Sequence, residues 1–139
     1  MIIFLDFDGV LHSSPAGERG HFYHLTRFEN ILREFPSLMV VISSSWREAY
    51  PSEVIWGLFS EDIQDRILGM TPNGDGKPPY SRYEEILAWI TLNHYGGPWL
   101  AIDDAHAEFP DGCPHLLLCQ SNSGLDEIIE LKLRKILAS

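Results

Sequence analysis

Four short apolar runs, each ending abruptly in polar or acidic side chains, constrain the fold of this chain more than any other feature. Ile2 to Leu5 stops at Asp6, Leu38 to Ile42 at Ser43-Ser44-Ser45, Trp99 to Ile102 at Asp103-Asp104, and Leu116 to Cys119 at Gln120 to Ser123. An apolar run this short, without alternation, reads as a strand buried on both faces, as in a parallel sheet covered by helices on each side. Between the runs the apolar spacing turns helical: Leu25, Phe28, Ile31, Leu32 and Phe35 recur in helical steps until Pro36 stops them. Ser81, with Glu84 three residues on, reads as a capping box for a helix whose apolar face is Tyr83, Ile86, Leu87 and Ile90. Gly124 to Leu137 closes the chain as an amphipathic helix, and residues 53 to 68 read as partly helical. Ser13 to Gly20 and Thr71 to Ser81, rich in Ser, Pro and Gly, are loops. The expected fold is α/β: a three-layer sandwich around a Rossmann-like parallel sheet of about five strands, in one domain over residues 1–139. Such sheets bind ligands at the carboxyl ends of their strands, near the point where strand order reverses.

Composition narrows the function classes. A chain of 139 residues, 45% hydrophobic and 12% aromatic, has the apolar content for one core. Twenty acidic against 10 basic side chains give a formal charge of -10. That balance repels polyanions and leaves no broad basic face, so any contact with nucleic acid has to be local. Cys113 and Cys119 are too few for a disulfide framework and lack the close spacing of a zinc or redox pair, which points to a reduced, cytoplasmic setting. The opening Met1-Ile2-Ile3-Phe4-Leu5 reaches Asp6 and Asp8 before a signal-peptide core could form, and no apolar run approaches the roughly 20 residues of a membrane span.

The chemistry gathers at the ends of the runs. Strand alternation sends Asp6 and Asp8 the same way, and Gly9 behind them permits a turn and close backbone approach to a phosphate. An Asp-x-Asp alone is often a solvated turn. Here it ends a buried strand beside another that ends in Asp103-Asp104, so up to four negative charges share one crevice. Charges that close need a cation, and an all-oxygen ligand set suits Mg²⁺ better than zinc. Ser43 and Ser44 offer neutral hydroxyl donors to a phosphoryl group, and the N–H groups entering the helix at Trp46 offer more; the plainer role for these serines is helix capping. Arg82, at a helix start, and Lys77, in the Gly-Lys-Pro loop, compete as the cation that faces phosphoryl charge. His12, His21, His24 and His106 read as ordinary loop or surface residues, and Trp46, Trp56, Trp89 and Trp99 as core residues more than base-stacking platforms. Arg47 either approaches substrate or decorates its helix.

Asp6-Phe7-Asp8-Gly9-Val10-Leu11, Ser43-Ser44-Ser45-Trp46-Arg47, Arg82 opening a helix and Ile102-Asp103-Asp104 together resemble the four ordered motifs of the haloacid dehalogenase (HAD) superfamily. Thr71-Pro72, the helix from Arg82-Tyr83-Glu84-Glu85-Ile86 to near Trp89, and Gly124-Leu125 look like its small branch found as phosphatase domains in RNA-repair proteins. The resemblance implies that Asp6 becomes phosphorylated, and that Asp8 protonates the leaving oxygen and then activates water. It further implies that Ser44, or Ser43 in a register shifted by one, bonds the phosphoryl group, which Arg82 orients. Mg²⁺ would be held by Asp6, the Asp8 carbonyl and Asp104, with Asp103 acting directly or through water. Between the motifs there is no room for a cap domain, so the resemblance implies an open crevice and a phosphorylated substrate such as a nucleotide or nucleic-acid end. The alternatives are a phospho-receiver domain, whose phosphorylated Asp would follow a later strand, and a non-catalytic module whose acidic surface serves a protein partner.

Overall fold

The computed structural model describes residues 1–74 and 79–139. Five strands form one parallel sheet: β1 (Ile2–Leu5), β2 (Met39–Ile42), β3 (Ile67–Met70), β4 (Trp99–Asp103) and β5 (Leu116–Leu118), in the order β3-β2-β1-β4-β5. The expected apolar runs form four of these strands, with β1 at the centre. Its alternating side chains feed two cores. Ile3 and Leu5, with Val40, Ile42, Leu100 and Ile102, face one side, where α1 (Leu25–Glu34), α3 (Ser52–Gly57), α4 (Glu61–Gln64) and α6 (Glu127–Ala138) pack through Phe28, Ile31, Ile55, Ile63, Ile129 and Leu133. Ile2, Phe4, Val41 and Ala101 face the other side, covered by Ile86 and Trp89 of α5 (Ser81–Leu92) and by Phe109. Fully burying one such side chain stabilises the fold by about 1.5–3 kcal/mol, so two-sided burial of β1 anchors the strand that leads into Asp6.

Three elements depart from the sequence-based expectation. Residues 53 to 68 are helical in part, as expected, in α3 and α4, but the stretch runs into an unexpected edge strand, Ile67–Met70. It buries only one side, leaving Leu68 half exposed, and contains Gly69, so it carries no continuous apolar run. The capping box at Ser81 does not form: Ser81 is inside the helix, and its hydroxyl donates to Glu108 Oε2 at 2.6 Å while the Arg82 N–H donates to the same oxygen at 3.1 Å. A carboxylate from the short turn His106–Glu108 thus supplies the cap from outside the helix. The last helix begins at Glu127 rather than Gly124, because the Asp126 side chain accepts from the Ile129 N–H at 3.0 Å. Among the described residues nothing folds as a cap domain, and no helix is long and apolar enough to cross a membrane.

Candidate active site

Sheet order decides where the chemistry sits. From β1 the sheet grows through β2 and β3 on one side and through β4 and β5 on the other, so the reversal lies at the carboxyl end of β1. Leu5 is in register with both Ile42 and Ile102, which sets Asp6 between Ser43 and Asp103. The ladder continues one step: the Asp6 N–H donates to Ile102 O and the Ser43 N–H to Leu5 O.

Asp6, Asp103 and Asp104 each bring a carboxylate oxygen to within 4.8 Å of the other two. Arg82 reaches in from the first turn of α5, with Nη1 2.7 Å from Asp103 Oδ2 and 3.3 Å from Asp6 Oδ1. Burial raises the Asp6 carboxyl well above its usual range and the Asp103 charge adds to this, while Arg82 works against it. Asp103 is likewise raised by burial, with Arg82 opposing. Burial disfavours the Arg82 charge, but Asp103 and Asp6 outweigh it and hold the guanidinium above its ordinary range. Three acids and one guanidinium leave unbalanced negative charge, and the donors are all oxygens, so the group fits a hard divalent cation such as Mg²⁺. Gly9 leaves room for one of these acids: it has φ +76°, and a Cβ there would collide with the Asp104 carboxylate. Asp104 is braced by the Ser121 hydroxyl at 2.7 Å, and Asp103 accepts from the Ala105 N–H at 2.9 Å.

The two serines differ. Ser43 is fully buried and its hydroxyl has no hydrogen-bond partner, whereas Ser44 Oγ accepts from the Trp46 N–H at 3.2 Å. A buried hydroxyl left without a partner costs about 1–3 kcal/mol, a strain expected where a ligand supplies the missing bond. The helix after the serines, α2 (Trp46–Ala49), is a single turn whose first N–H groups already bond to Ser44 and Ser45, so the expected anion site at its start is not there.

Asp8 stands apart from the acidic trio. Strand alternation ends at Leu5, and in the turn that follows the Asp8 carboxylate, 45% exposed, meets His12 and Trp46. His12 Nε2 lies 2.7 Å from Asp8 Oδ1, and Trp46 Nε1 donates to both oxygens at 3.1 Å. His12 is buried, not a surface histidine, and its Nδ1 accepts from the Phe22 N–H at 3.1 Å, so the proton sits on Nε2 and is donated to Asp8. Phe22 takes a left-handed backbone, φ +63°, in making that bond, a strain of about 1–3 kcal/mol of the kind found at functional sites.

Residues 2–128 match the family model described as the HAD domain in Swiss Army Knife RNA repair proteins. The chain belongs to that family. No match was found among curated proteins or among solved structures. Membership makes this HAD domain one of a family of hydrolases, and the order of its site agrees: serines end β2, and acids end β1 and β4.

Several residues of the HAD site were not singled out by sequence. His12 is buried against Asp8 rather than being an ordinary loop or surface residue, and Trp46 packs against the core as expected while also donating to Asp8; Trp56, Trp89 and Trp99 pack in or against the core. Arg47 lies in α2 but does more than decorate that helix. Its guanidinium is buried, bonds the carbonyls of Ser43, Ser44 and Thr71, and lies 2.9 Å from Glu85 Oε2. His24 is buried against Ser123 O, and burial lowers its pKa; His106 stays exposed. Lys77, the rival to Arg82, lies outside the described residues.

Proposed function

We propose that this HAD domain is a Mg²⁺-dependent phosphomonoesterase working through an aspartyl phosphate on Asp6. The observation that carries the reading is the division of labour between two carboxylates two residues apart. Asp6 is buried beside Arg82 and the acidic pair, while Asp8 is half exposed and gripped by the His12 and Trp46 ring N–H groups. Asp6, Asp104 and Asp103, with the Asp8 carbonyl, are the groups that would hold Mg²⁺. When bound, the ion offsets charge on the phosphoryl oxygens.

In the first half-reaction an Asp6 oxygen attacks phosphorus in line, the P–O bond to the leaving group breaks, and Asp8 gives its proton to the departing oxygen. In the second, Asp8 takes a proton from water, whose oxygen attacks phosphorus and returns Asp6 as a carboxylate with release of inorganic phosphate. Ser43, with its unpartnered hydroxyl, and Ser44, whose hydroxyl proton is still free to donate, bind phosphoryl oxygens. Arg82 orients the group and balances its charge. Phosphoryl transfer asks mainly for alignment and charge placement, which this set of groups supplies.

Among the described residues nothing caps the crevice, so binding energy has to come from the body of a larger substrate. A phosphorylated nucleic-acid end or nucleotide is the class we favour, in keeping with the RNA-repair proteins that carry this domain. A cytoplasmic enzyme accords with its two free thiols, Cys113 and Cys119. The test is turnover of phosphorylated oligonucleotides, a sugar phosphate and a phosphopeptide. Asp6→Asn should abolish turnover with the fold intact, excess chelator should do the same, and Ca²⁺ should not substitute. Near wild-type activity in Asp6→Asn or in chelator would reject the mechanism.

A further inference from the structure

We propose that His21, Trp46 and Tyr50 form a stacking subsite for the nucleobase nearest the reacting phosphate. This rests on the phosphatase reading above and deepens it, from a phosphate site to a specific means of holding the leaving group.

The subsite is built outward from Asp8, the group that faces the leaving oxygen. The Trp46 indole N–H grips Asp8, and the Tyr50 ring stacks on the indole with centroids 5.1 Å apart and planes 28° from parallel. On the other flank the His21 ring meets His12 at 4.8 Å and Trp46 at 5.6 Å. Phe22 backs the group at 5.0 Å from both His12 and Trp46. Burial falls along this path: His12 is fully buried, Trp46 partly, and Tyr50 is 44% exposed with His21 exposed beside it. Large rings exposed beside a polar site mark a binding surface when they are contiguous.

Charge explains why rings are needed. Among the described residues Arg27, Arg33, Arg47, Arg82 and Arg134 pair with carboxylates, and Arg66 is spent on the Phe35 and Leu38 carbonyls. Arg19 is the arginine outside such pairs, and it lies over the Tyr23 ring. With a charge of -10 and six of its seven arginines engaged with carboxylates or carbonyls, the described surface offers few cations to the phosphates of a polynucleotide. A base presents a neutral π-face, and stacking on an aromatic side chain is tolerant of sequence. The spacing favours a nucleobase over a phosphotyrosine ring. A phenyl ester would put its ring directly at Asp8, where the His12 and Trp46 N–H groups already crowd, whereas a base set back by a sugar reaches Tyr50, one ring further out.

The experiment compares kcat/KM for a phosphorylated dinucleotide with that for the same compound abasic at the terminal sugar, in wild type, Tyr50→Ala, Tyr50→Phe and His21→Ala. Trp46 is left alone because it also holds Asp8. Wild type should prefer the base-bearing substrate, and Tyr50→Ala should shrink that preference by about fivefold or more, the lower end of one stacked base. His21→Ala should shrink it in the same direction, and Tyr50→Phe, which keeps the ring, should restore it. A wild type that processes both compounds equally, with Tyr50→Ala slowing both alike, would overturn the subsite while leaving the phosphatase reading in place. A wild type inert toward both and toward p-nitrophenyl phosphate would instead remove the reading beneath it. Preference for a phosphotyrosine peptide that is lost in Tyr50→Ala would overturn the subsite in favour of a protein substrate.

Discussion

Asp6 is the residue at which catalysis and stability conflict. Burial raises its carboxyl well above the usual range, with Asp103 adding to the effect. The ionised form of Asp6 is therefore harder to hold in the folded chain than in the unfolded one, which solvates it. For an acid raised in this way, stability is greatest below the unfolded pKa of about 3.9 and declines as pH rises through the folded value. Asp6→Asn in excess chelator should thus melt a few degrees higher than wild type at pH 7, with the gain vanishing below about pH 4. Thermal melts at both pH values check this, and a lower melting point at pH 7 would contradict it. At this scale the sequence was legible where an acid ends an apolar run: Asp6, Asp103 and Asp104 converge as expected, with Arg82 among them. It was not legible for His12 and Trp46. Their contacts with Asp8 span 4 and 38 residues and depend on a loop whose path, through the left-handed Phe22, no periodicity reveals. The difference between Ser43, buried without a partner, and Ser44, bonded to the Trp46 N–H, likewise depends on how the chain turns after β2, which composition does not reveal.

Among the elements, α5 and the turn after β2 are tied by one buried contact. Arg47 holds the carbonyls of Ser43 and Ser44, and Glu85 holds Arg47 while also accepting from the Gly74 N–H at 2.8 Å. The side chains are only 4% and 10% exposed, so removing the acid strands a desolvated guanidinium. Glu85→Ala should cost about 3–5 kcal/mol in urea unfolding and lower activity by loosening the Ser43 loop. A loss below about 1 kcal/mol would mean that water reaches Arg47 readily. The elements themselves were legible in proportion to how much they bury. Strands covered on both faces announced themselves as apolar runs, whereas β3, with one face open and a glycine inside, did not. Helix starts were legible where the cap is local, as a capping Asp126 could have shown, and hidden where it comes from Glu108, 27 residues beyond Ser81.

Over the whole molecule, net charge and the lack of a cap act in opposite directions on substrate length. An open crevice admits a long chain, but each added phosphate meets an acidic surface. Lengthening an oligonucleotide from two to ten residues at low salt should therefore lower kcat/KM. Raising salt from about 50 to about 200 mM should recover the loss by screening, the reverse of what a basic groove produces. Affinity that grows with length and falls with salt would contradict this. The central place of β1 has a further effect during synthesis. Asp6 leaves the ribosome roughly a hundred residues before Asp103, which at about 5–20 residues per second is a delay of roughly 5–20 s. Throughout that interval the edge of β1 that will receive β4 has no partner, and the strand that bears the nucleophile is an adhesive surface on a nascent chain. A pause anywhere between β2 and β4 lengthens that interval, so slowing translation of this stretch should lower the yield of folded chain.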